Sequence, residues 1–201
     1  MNKTALSTSK KARGVVDSSD WELVQRCQRG EADAFQELVA KYYQRVLMVA
    51  LGILNHREDA KEVAQETFVR VHRRIKDFRG GSAFFTWLYR IAVNASIDCQ
   101  RRQKRAPLEL RENMDELVES SRPREGANDP YQDLRDKELG KRLLGALEEL
   151  TSEHKAVIVM RVVEGLSYKE IGDILGCSEG TVMSRLHYGR KRLQQILAPY
   201  L

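Results

Sequence analysis

The sequence predicts an all-α protein of two small helical domains joined by a flexible linker. Glycine and proline are scarce, with 13 and 4 among 201 residues, and this scarcity disfavours a turn-rich β fold. Apolar residues recur at helical spacing in both halves of the chain. Between the halves, 106–135 carries eight acidic and four basic residues and no sustained apolar period. We therefore expect helical domains over 21–105 and 136–201, with an acidic flexible linker over 106–135.

The composition favours a cytoplasmic protein. Charged residues make up 31% of the chain, and no apolar run approaches the roughly 18–20 residues that a membrane-spanning helix needs. The first residues are basic and rich in serine and threonine, and they lack the apolar stretch of a signal peptide. We expect residues 1–20 to form a disordered basic extension, and the protein to lie in the cytoplasm without insertion into a membrane.

The cysteines and histidines give no sign of a metal site. Cys27, Cys99 and Cys177 lie far apart without a Cys-x-x-Cys pair, which argues against a disulfide scaffold and a zinc ribbon. The four histidines include no pair at i and i+4 and no His-Glu-x-x-His motif. We expect no cofactor and no metal, and we expect the cysteines to be reduced residues that serve in packing.

The N-terminal domain is predicted to be a run of helices. Apolar residues at helical spacing fill 20–54, where Gly30 marks the end of one helix and Asp33 is placed to cap the next. The segment 57–75 carries apolar residues on one face and polar residues on the opposite face. Two glycines interrupt the chain in the loop "KDFRGGSA", residues 76–83, before helical spacing resumes.

Positive charge and aromatic residues are concentrated together between Arg70 and Arg105. This stretch contains ten lysines and arginines against two acidic residues, a distribution that suits a polyanion. A basic run is often only a solubilising face, but here aromatic residues interleave it. Aromatic rings stack on unpaired bases, and cations follow the phosphate backbone. The combination favours a surface for single-stranded nucleic acid, while Phe85 and Leu88 are assigned to packing.

The stretch "LSYKEIGDILGCSEGTVMSRLHYGRKRL", residues 166–193, has the pattern of a helix-turn-helix. Ser167 and Ser178 are placed to cap its two helices, Gly172 keeps their crossing point small, and Gly176 allows the sharp turn. In this motif the second helix enters the major groove of DNA, whereas a helical hairpin without a DNA role is the alternative. The apolar residues that hold the helices together are Ile171, Ile174, Leu175, Val182 and Leu186. The candidate contacts to duplex DNA are Ser167, Lys169, Glu170, Ser178, Gly180, Thr181, Met183, Ser184, Arg185, Tyr188 and Arg190.

These motifs closely resemble those of a known family. "EDAKEVAQETFVRVHRRI" and "FRGGSAFFTWLYRIAVNASID" resemble the second conserved region of extracytoplasmic-function sigma factors, which belong to the sigma-70 superfamily. The helix-turn-helix is similar to their fourth region, and the whole resemblance runs from about Trp21 to Leu197 and points to the RpoE-like group. It implies a dissociable subunit of bacterial RNA polymerase, without a catalytic site, that recognises promoters and helps to melt them. The helix-turn-helix would read the minus-thirty-five element.

The resemblance assigns the basic and aromatic stretch to the minus-ten element. In the family, the loop matching Phe78 to Ala83 forms a pocket for a flipped base of the non-template strand. Asn94 matches a position that can pair with a base edge, and Trp87 matches the upstream edge of the melted segment. The candidate contacts to the minus-ten element and to melted DNA are Phe78, Arg79, Gly80, Ser82, Ala83, Phe84, Trp87, Tyr89, Arg90, Asn94, Arg101 and Arg102.

The polar face of the segment 57–75 resembles the family's docking surface for the β′ clamp helices of the polymerase core. A polar helix face is equally typical of a solvated surface, and this alternative stays open. The resemblance further implies contact with the polymerase β flap and an anti-sigma factor that sequesters the protein. The candidate core-binding residues are Asp59, Glu62, Gln65, Glu66, Val69 and Arg73.

Met183 and Tyr188 depart from the family's pattern, because many relatives carry an arginine at the first position and some carry another basic residue at the second. Neither side chain makes a bidentate contact with guanine, so the promoter sequence cannot be copied from a relative. Two other functions fit the sequence less well. A stand-alone helix-turn-helix regulator with an N-terminal sensor domain accounts less well for basic and aromatic residues clustered at a loop. An enzyme acting on nucleic acid needs a metal cluster or paired catalytic groups, which the sequence does not offer.

Overall fold

A computed structural model describes residues 18–105, 142–143 and 145–200. These residues form α-helices and short 3-10 helices with no β-strand among them, which confirms the all-α prediction. None of the described helices is long and apolar enough to span a bilayer. The predicted linker 106–135 and the extension up to residue 17 lie outside the described residues. The helices are α1 Ser18–Gln28, α2 Ala32–Leu54, α3 Arg57–Arg74, α4 Phe84–Arg105, α5 Ser152–Val162, α6 Tyr168–Leu175 and α7 Glu179–Leu197, with 3-10 helices at Ile75–Asp77 and Ala198–Tyr200.

The long helix α2 is the centre of the N-terminal domain. Helices α1, α3 and α4 pack around it. Its buried residues recur every three or four positions, which places them along one side of the helix. The helix ends where Asn55 takes left-handed backbone angles, with a φ of 55°, and its amide hydrogen-bonds the carbonyl of Leu51. The buried residues of α2 are Ala34, Leu38, Tyr42, Val46, Val49, Ala50, Ile53 and Leu54.

The start of α2 differs from the sequence prediction. Because α2 begins at Ala32, Glu31 is the N-cap residue and Asp33 lies in the first turn, so the prediction that Asp33 caps the helix is wrong. Asp33 still lies where the helix dipole favours a carboxylate. Glu31 makes no capping hydrogen bond, and its carboxylate pairs instead with Arg26 at 2.9 Å. Gly30 follows α1 with a φ of 90°, as expected of a residue that ends a helix.

Helix α5 is buried on almost every side. Its residues 155–160 are all buried, whereas a helix at the surface of a small domain keeps a polar face. Helix α7 covers one side of α5, and α2 of the N-terminal domain covers another. The described parts of both domains therefore share one continuous apolar core. Thr151 caps α5, since its Oγ1 accepts the amide hydrogen of His154 at 3.4 Å.

Candidate nucleic-acid and polymerase interfaces

Helices α6 and α7 form the predicted helix-turn-helix. Gly172 is buried where they cross, and a Cβ added there would lie 2.7 Å from the carbonyl oxygen of Cys177. Gly176 ends α6 with left-handed angles and a φ of 67°. Val182 and Leu186 of α7 are buried in the core, as predicted. The close crossing and the sharp turn fix the angle at which α7 projects from the domain.

Two serines cap these helices, again as predicted. The Ser167 hydroxyl accepts the amide hydrogen of Glu170 at 3.2 Å, and the Glu170 carboxylate accepts the amide hydrogen of Ser167 at 2.8 Å. This pair is a complete capping box at the start of α6. The Ser178 hydroxyl accepts the amide hydrogen of Thr181 at 3.2 Å and so caps α7. Glu170 is thus engaged within the protein, and its contact with DNA stays a prediction.

The outer face of α7 carries most of the predicted contacts to duplex DNA. Met183 is 55% exposed and Tyr188 is 61% exposed, which is unusual for side chains of this size and apolarity. Both departures from the family's pattern therefore lie on the surface, where they can contact a partner. The other candidates on this side of the motif are exposed or half-buried: Lys169, Gly180, Thr181, Ser184, Arg185 and Arg190.

The loop 78–83 closes on an aromatic cluster. The ring centroid of Phe78 lies 5.8 Å from that of Phe84 and 5.1 Å from that of Trp87. A ring needs a free face to stack on a base. Phe84 is only 2% exposed and also contacts Tyr42, so its ring belongs to the core, contrary to the expectation that it stacks on DNA. Phe78 is buried as well, whereas Trp87 is half-buried and keeps exposed surface.

The exposed side of α4 brings cations and an amide together. Arg90, Asn94 and Arg101 are exposed, and their spacing of four and seven residues places them on one face of the helix. Tyr89, in contrast, is fully buried, and its hydroxyl donates to the carboxylate of Glu164 at 2.6 Å. Burial, together with this hydrogen bond, raises the pKa of Tyr89. The remaining minus-ten candidates, all exposed or half-buried, are Arg79, Gly80, Ser82, Ala83 and Arg102.

The polar face of α3 is exposed along most of its length. Glu62, Gln65 and Arg73 are exposed, whereas Glu66 is half-buried and pairs with Arg70 at 2.6 Å. Asp59 is more strongly engaged, because its carboxylate lies 2.8 Å from His56 Nδ1 and accepts a hydrogen bond from the side chain of Gln103. The accessible part of this face therefore consists of the other four candidates, which are Glu62, Gln65, Val69 and Arg73.

A shallow apolar groove of about 390 Å³ lies beside this polar face. Helix α2 contributes Phe35, Val39 and Tyr43 to its lining, and α3 contributes Phe68 and Val69. Val69 is 48% exposed. The groove could not be predicted from the sequence, since helical spacing does not distinguish a buried apolar residue from one that lines a groove. An apolar floor with a polar rim is typical of a protein-binding surface.

No metal site emerges in the parts of the chain that the structure describes. No three residues of the types His, Cys, Asp and Glu lie together there in a way that could hold a metal ion. Cys27, Cys99 and Cys177 are free thiols. Burial raises the pKa of the Cys27 and Cys99 thiols, and this favours their protonated, unreactive form.

Two family models match the chain, one in each domain. The model described as "Sigma-70 region 2" matches residues 38–106, which span most of α2 and all of α3 and α4. The model described as "Sigma-70, region 4" matches residues 140–193, which include the helix-turn-helix. The two matches follow the order that the sequence motifs indicate.

Relatives of similar length match nearly the whole chain. The RNA polymerase sigma-H factor of Pseudomonas aeruginosa is 32% identical over 189 residues, which cover 93% of this chain and 98% of the relative. The ECF RNA polymerase sigma-E factor of Haemophilus influenzae is 34% identical over 189 residues, which cover 91% of this chain and 97% of the relative.

Solved structures share the fold. CnrH, in complex with the cytosolic domain of CnrY, matches with a TM-score of 0.66 and 23% identity over 91% of this chain and 99% of that one. The sigma factor RpoE of Bartonella quintana, in complex with the anti-sigma factor NepR, matches with a TM-score of 0.60 and 23% identity over 83% of this chain and 98% of that one. With both family models and the relatives in agreement, this chain belongs to the extracytoplasmic-function sigma factors, the RNA polymerase subunits that direct promoter recognition and transcription initiation.

Proposed function

We propose that the two domains divide promoter recognition between duplex DNA and melted DNA. The observation that carries this proposal is the exposure of two different faces. One is the α7 face around Met183 and Tyr188, and the other is the face around Asn94 on α4, the helix that follows the loop 78–83. The protein acts in the cytoplasm and has no catalytic site of its own. Its role is to place the polymerase core on a promoter and to hold the opened strands.

Helix α7 reads the minus-thirty-five element in the major groove. Its capped N-terminus offers backbone amides and the positive end of the helix dipole to a phosphate. Met183 and Tyr188 are suited to apolar contact, and a thymine methyl group is the apolar feature of the major groove. Arg190 and the neighbouring basic residues are suited to phosphates, which position the helix without reading sequence.

Helix α4 and the loop 78–83 hold the melted minus-ten element. Asn94 is exposed, and an asparagine amide can pair with the edge of an adenine. Trp87 supplies the ring at the upstream edge, while Arg79 and Arg102 are exposed for the phosphate backbone. Phe84 supports the loop from the core rather than stacking on a base. Arg90 and Arg101, which are exposed, complete the surface, whereas Tyr89 is buried.

The groove between α2 and α3, together with the polar face of α3, binds the β′ clamp helices of the polymerase core. The partly exposed side chains of Tyr43 and Val69 offer apolar area at the centre. Gln65 and Arg73 lie at the rim, where polar side chains set orientation. The C-terminal domain contacts the β flap. Both contacts keep the sigma factor on the enzyme while the promoter is opened.

An anti-sigma factor is a further partner of this protein. RpoE of Bartonella quintana is in complex with the anti-sigma factor NepR, and CnrH is in complex with the cytosolic domain of CnrY. These structures support the proposal that a regulatory protein sequesters this chain until a signal releases it.

Run-off transcription tests the proposed function. Purified bacterial core polymerase is supplied with templates that carry randomised promoters, with and without this protein. We expect transcripts that depend on the protein, and sequencing the templates that yield them gives its two promoter elements. Binding to duplex DNA without any dependent transcript would contradict the proposal and favour a stand-alone helix-turn-helix regulator.

A further inference from the structure

Helix α1 brings a second indole to the loop 78–83. Trp21 lies near the start of α1, far ahead of the loop in sequence, and its side chain is half-buried. The three atoms nearest to a Cβ built on Gly80 all belong to the six-membered ring of this indole. Trp21 is not among the DNA contacts predicted from the sequence, because it precedes the basic and aromatic stretch. The fold nevertheless places it against that stretch.

Both tryptophans of the chain contact Phe78, the first residue of the loop. The ring centroid of Phe78 lies 6.2 Å from that of Trp21 and 5.1 Å from that of Trp87. Phe78 is buried, whereas both indoles are half-buried and keep exposed surface. An unpaired base stacks on the exposed face of an aromatic ring. Trp21 therefore offers the same kind of surface as Trp87, to which we assign a contact with melted DNA.

The backbone of the loop leaves room for this indole and for a ligand beside it. Gly80 has no Cβ, so the ring of Trp21 can lie against its backbone. Gly81 and Arg79 are exposed, and no described atom lies within 4 Å of a Cβ built on Gly81. The loop is thus covered by the indole at Gly80 and open at Gly81. An open position next to a half-buried indole can accept a planar group.

A buried carboxylate holds this part of α1 in place. Asp20 is 2% exposed, and its carboxylate accepts hydrogen bonds from the Tyr42 hydroxyl and, at 2.6 Å, from Lys41 Nζ, both on α2. The ring of Tyr42 in turn contacts Phe84, with ring centroids 5.7 Å apart. Trp21 follows Asp20 directly in the chain, so its backbone is fixed to the core. A surface that is held in place before a ligand binds loses less conformational entropy on binding.

We propose that Trp21 forms one wall of the pocket for the flipped base of the minus-ten element and stacks on that base. The proposal rests on the proposed function of the loop 78–83. Its ligand is an unpaired base of the non-template strand. Asp20 and Phe78 are positioning residues, since they hold the indole beside the loop without touching the base. Because every base has a π-face, Trp21 adds affinity at this position without choosing the base.

Affinity for non-template-strand DNA tests this contact. Holoenzyme is assembled from bacterial core polymerase and the full chain, and it is titrated with a fluorescein-labelled oligonucleotide that carries the minus-ten element obtained by run-off selection. A tetrahydrofuran abasic nucleotide replaces each position of the element in turn. The flipped base is the position at which this replacement weakens binding by wild-type holoenzyme most. If no replacement weakens binding by the wild type, the proposed function of the loop is wrong, and this proposal with it.

Trp21→Leu keeps an apolar side chain beside Gly80 and removes the aromatic face. We expect it to weaken binding of the intact oligonucleotide about tenfold and of the abasic one less than about twofold, because stacking is lost only where a base is present. Trp21→Phe, which keeps a smaller ring, should recover part of the loss. Glu22→Leu, at an exposed position of the same helix, is the matched control and should bind both oligonucleotides as the wild type does. Circular dichroism checks that the helical content of each variant is unchanged.

The fluorescence of 2-aminopurine at the flipped position separates contact with the base from support of the loop. Stacking on an indole quenches this fluorescence, so we expect the bound analogue to be brighter with Trp21→Leu than with the wild type, at saturating holoenzyme. Equal losses of affinity for the intact and abasic oligonucleotides, or no loss for either, would overturn the proposal while the wild-type results still support the loop. A selective loss without a change in fluorescence would also overturn it, since Trp21 would then act only through the loop.

Discussion

The indole of Trp21 lies over Gly80. A Cβ added to Gly80 would sit 3.0 Å from the ring, and Gly80 has a φ of 71°, which disfavours any other residue. Trp21 also contacts Phe78, with ring centroids 6.2 Å apart. Helix α1 therefore covers one side of the loop 78–83 and fixes the backbone of the segment to which we assign the flipped base.

Replacing Gly80 displaces this loop. We expect Gly80→Ala to weaken binding of single-stranded minus-ten DNA in the holoenzyme about tenfold, because left-handed strain of roughly 1–2 kcal/mol adds to a contact with Trp21. Binding of duplex minus-thirty-five DNA should stay at the wild-type level. Gly81→Ala is the control, since an added Cβ there meets no described atom within 4 Å. If Gly81→Ala weakens binding of the single-stranded DNA as much as Gly80→Ala does, contact with Trp21 is not the cause of the loss.

Gln28 supports the same loop from its other end. Its side-chain amide donates to the backbone carbonyls of Ile75 and Phe78, at 2.8 Å each. We expect Gln28→Ala to lower the free energy of unfolding by about 1–3 kcal/mol, because two partly buried acceptors lose their donor. Thermal and urea unfolding measure this change. Gln25→Ala, at an exposed position of the same helix, should change stability by less than about 0.5 kcal/mol.

The two DNA surfaces should respond separately to mutation. We expect Arg185→Ala to weaken binding to a duplex minus-thirty-five fragment about tenfold, because it removes a cation from the helix-turn-helix. Asn94→Ala should leave that binding unchanged and reduce open-complex formation by holoenzyme on a full promoter. Electrophoretic mobility shifts and permanganate footprinting measure the two effects. Similar losses in both assays for both variants would contradict the division between the domains.

Reversing a charge on α3 tests the polymerase-binding face. Glu66 pairs with Arg70 at 2.6 Å, so Glu66→Lys replaces an attraction with a repulsion next to the groove. We expect association with core polymerase to weaken about tenfold, as charge reversals at protein interfaces do, with helical content unchanged. Glu22→Lys, at an exposed position of α1, is the control. Association at the wild-type level for both variants would remove α3 from the interface.

The capping box of α6 should contribute measurably to stability. Ser167→Ala removes the acceptor for the Glu170 amide and leaves the Glu170 carboxylate without the Ser167 hydroxyl, which donates to it at 2.7 Å. We expect a loss of about 1 kcal/mol in the free energy of unfolding, the usual cost of a lost N-cap. Ser167→Asp, which keeps an acceptor at the N-cap, should recover most of the loss. If Ser167→Asp does not recover the free energy of unfolding, the Ser167 hydroxyl stabilises the protein by something other than its N-cap hydrogen bond.

The helix-turn-helix could be predicted from sequence because its constraints are local. Gly172, Gly176 and the two capping serines each satisfy a requirement set by residues within a few positions. The burial of Phe84 could not be predicted in this way, because "FFTW" offers adjacent aromatic residues and only the position of α2 decides which one points inward. The burial of the Glu164 side chain could not be predicted for a similar reason. Its partners Arg45 and Tyr89 are distant in sequence, and a glutamate followed by glycine after a helix is typical of an ordinary exposed turn.

The burial of α5 between two domains makes their packing sensitive to temperature. Separating the domains exposes Val159 and its apolar neighbours to water, so opening carries a positive heat-capacity change. Burial of apolar surface stabilises less as water is cooled. Contact between the two domains should therefore weaken in the cold.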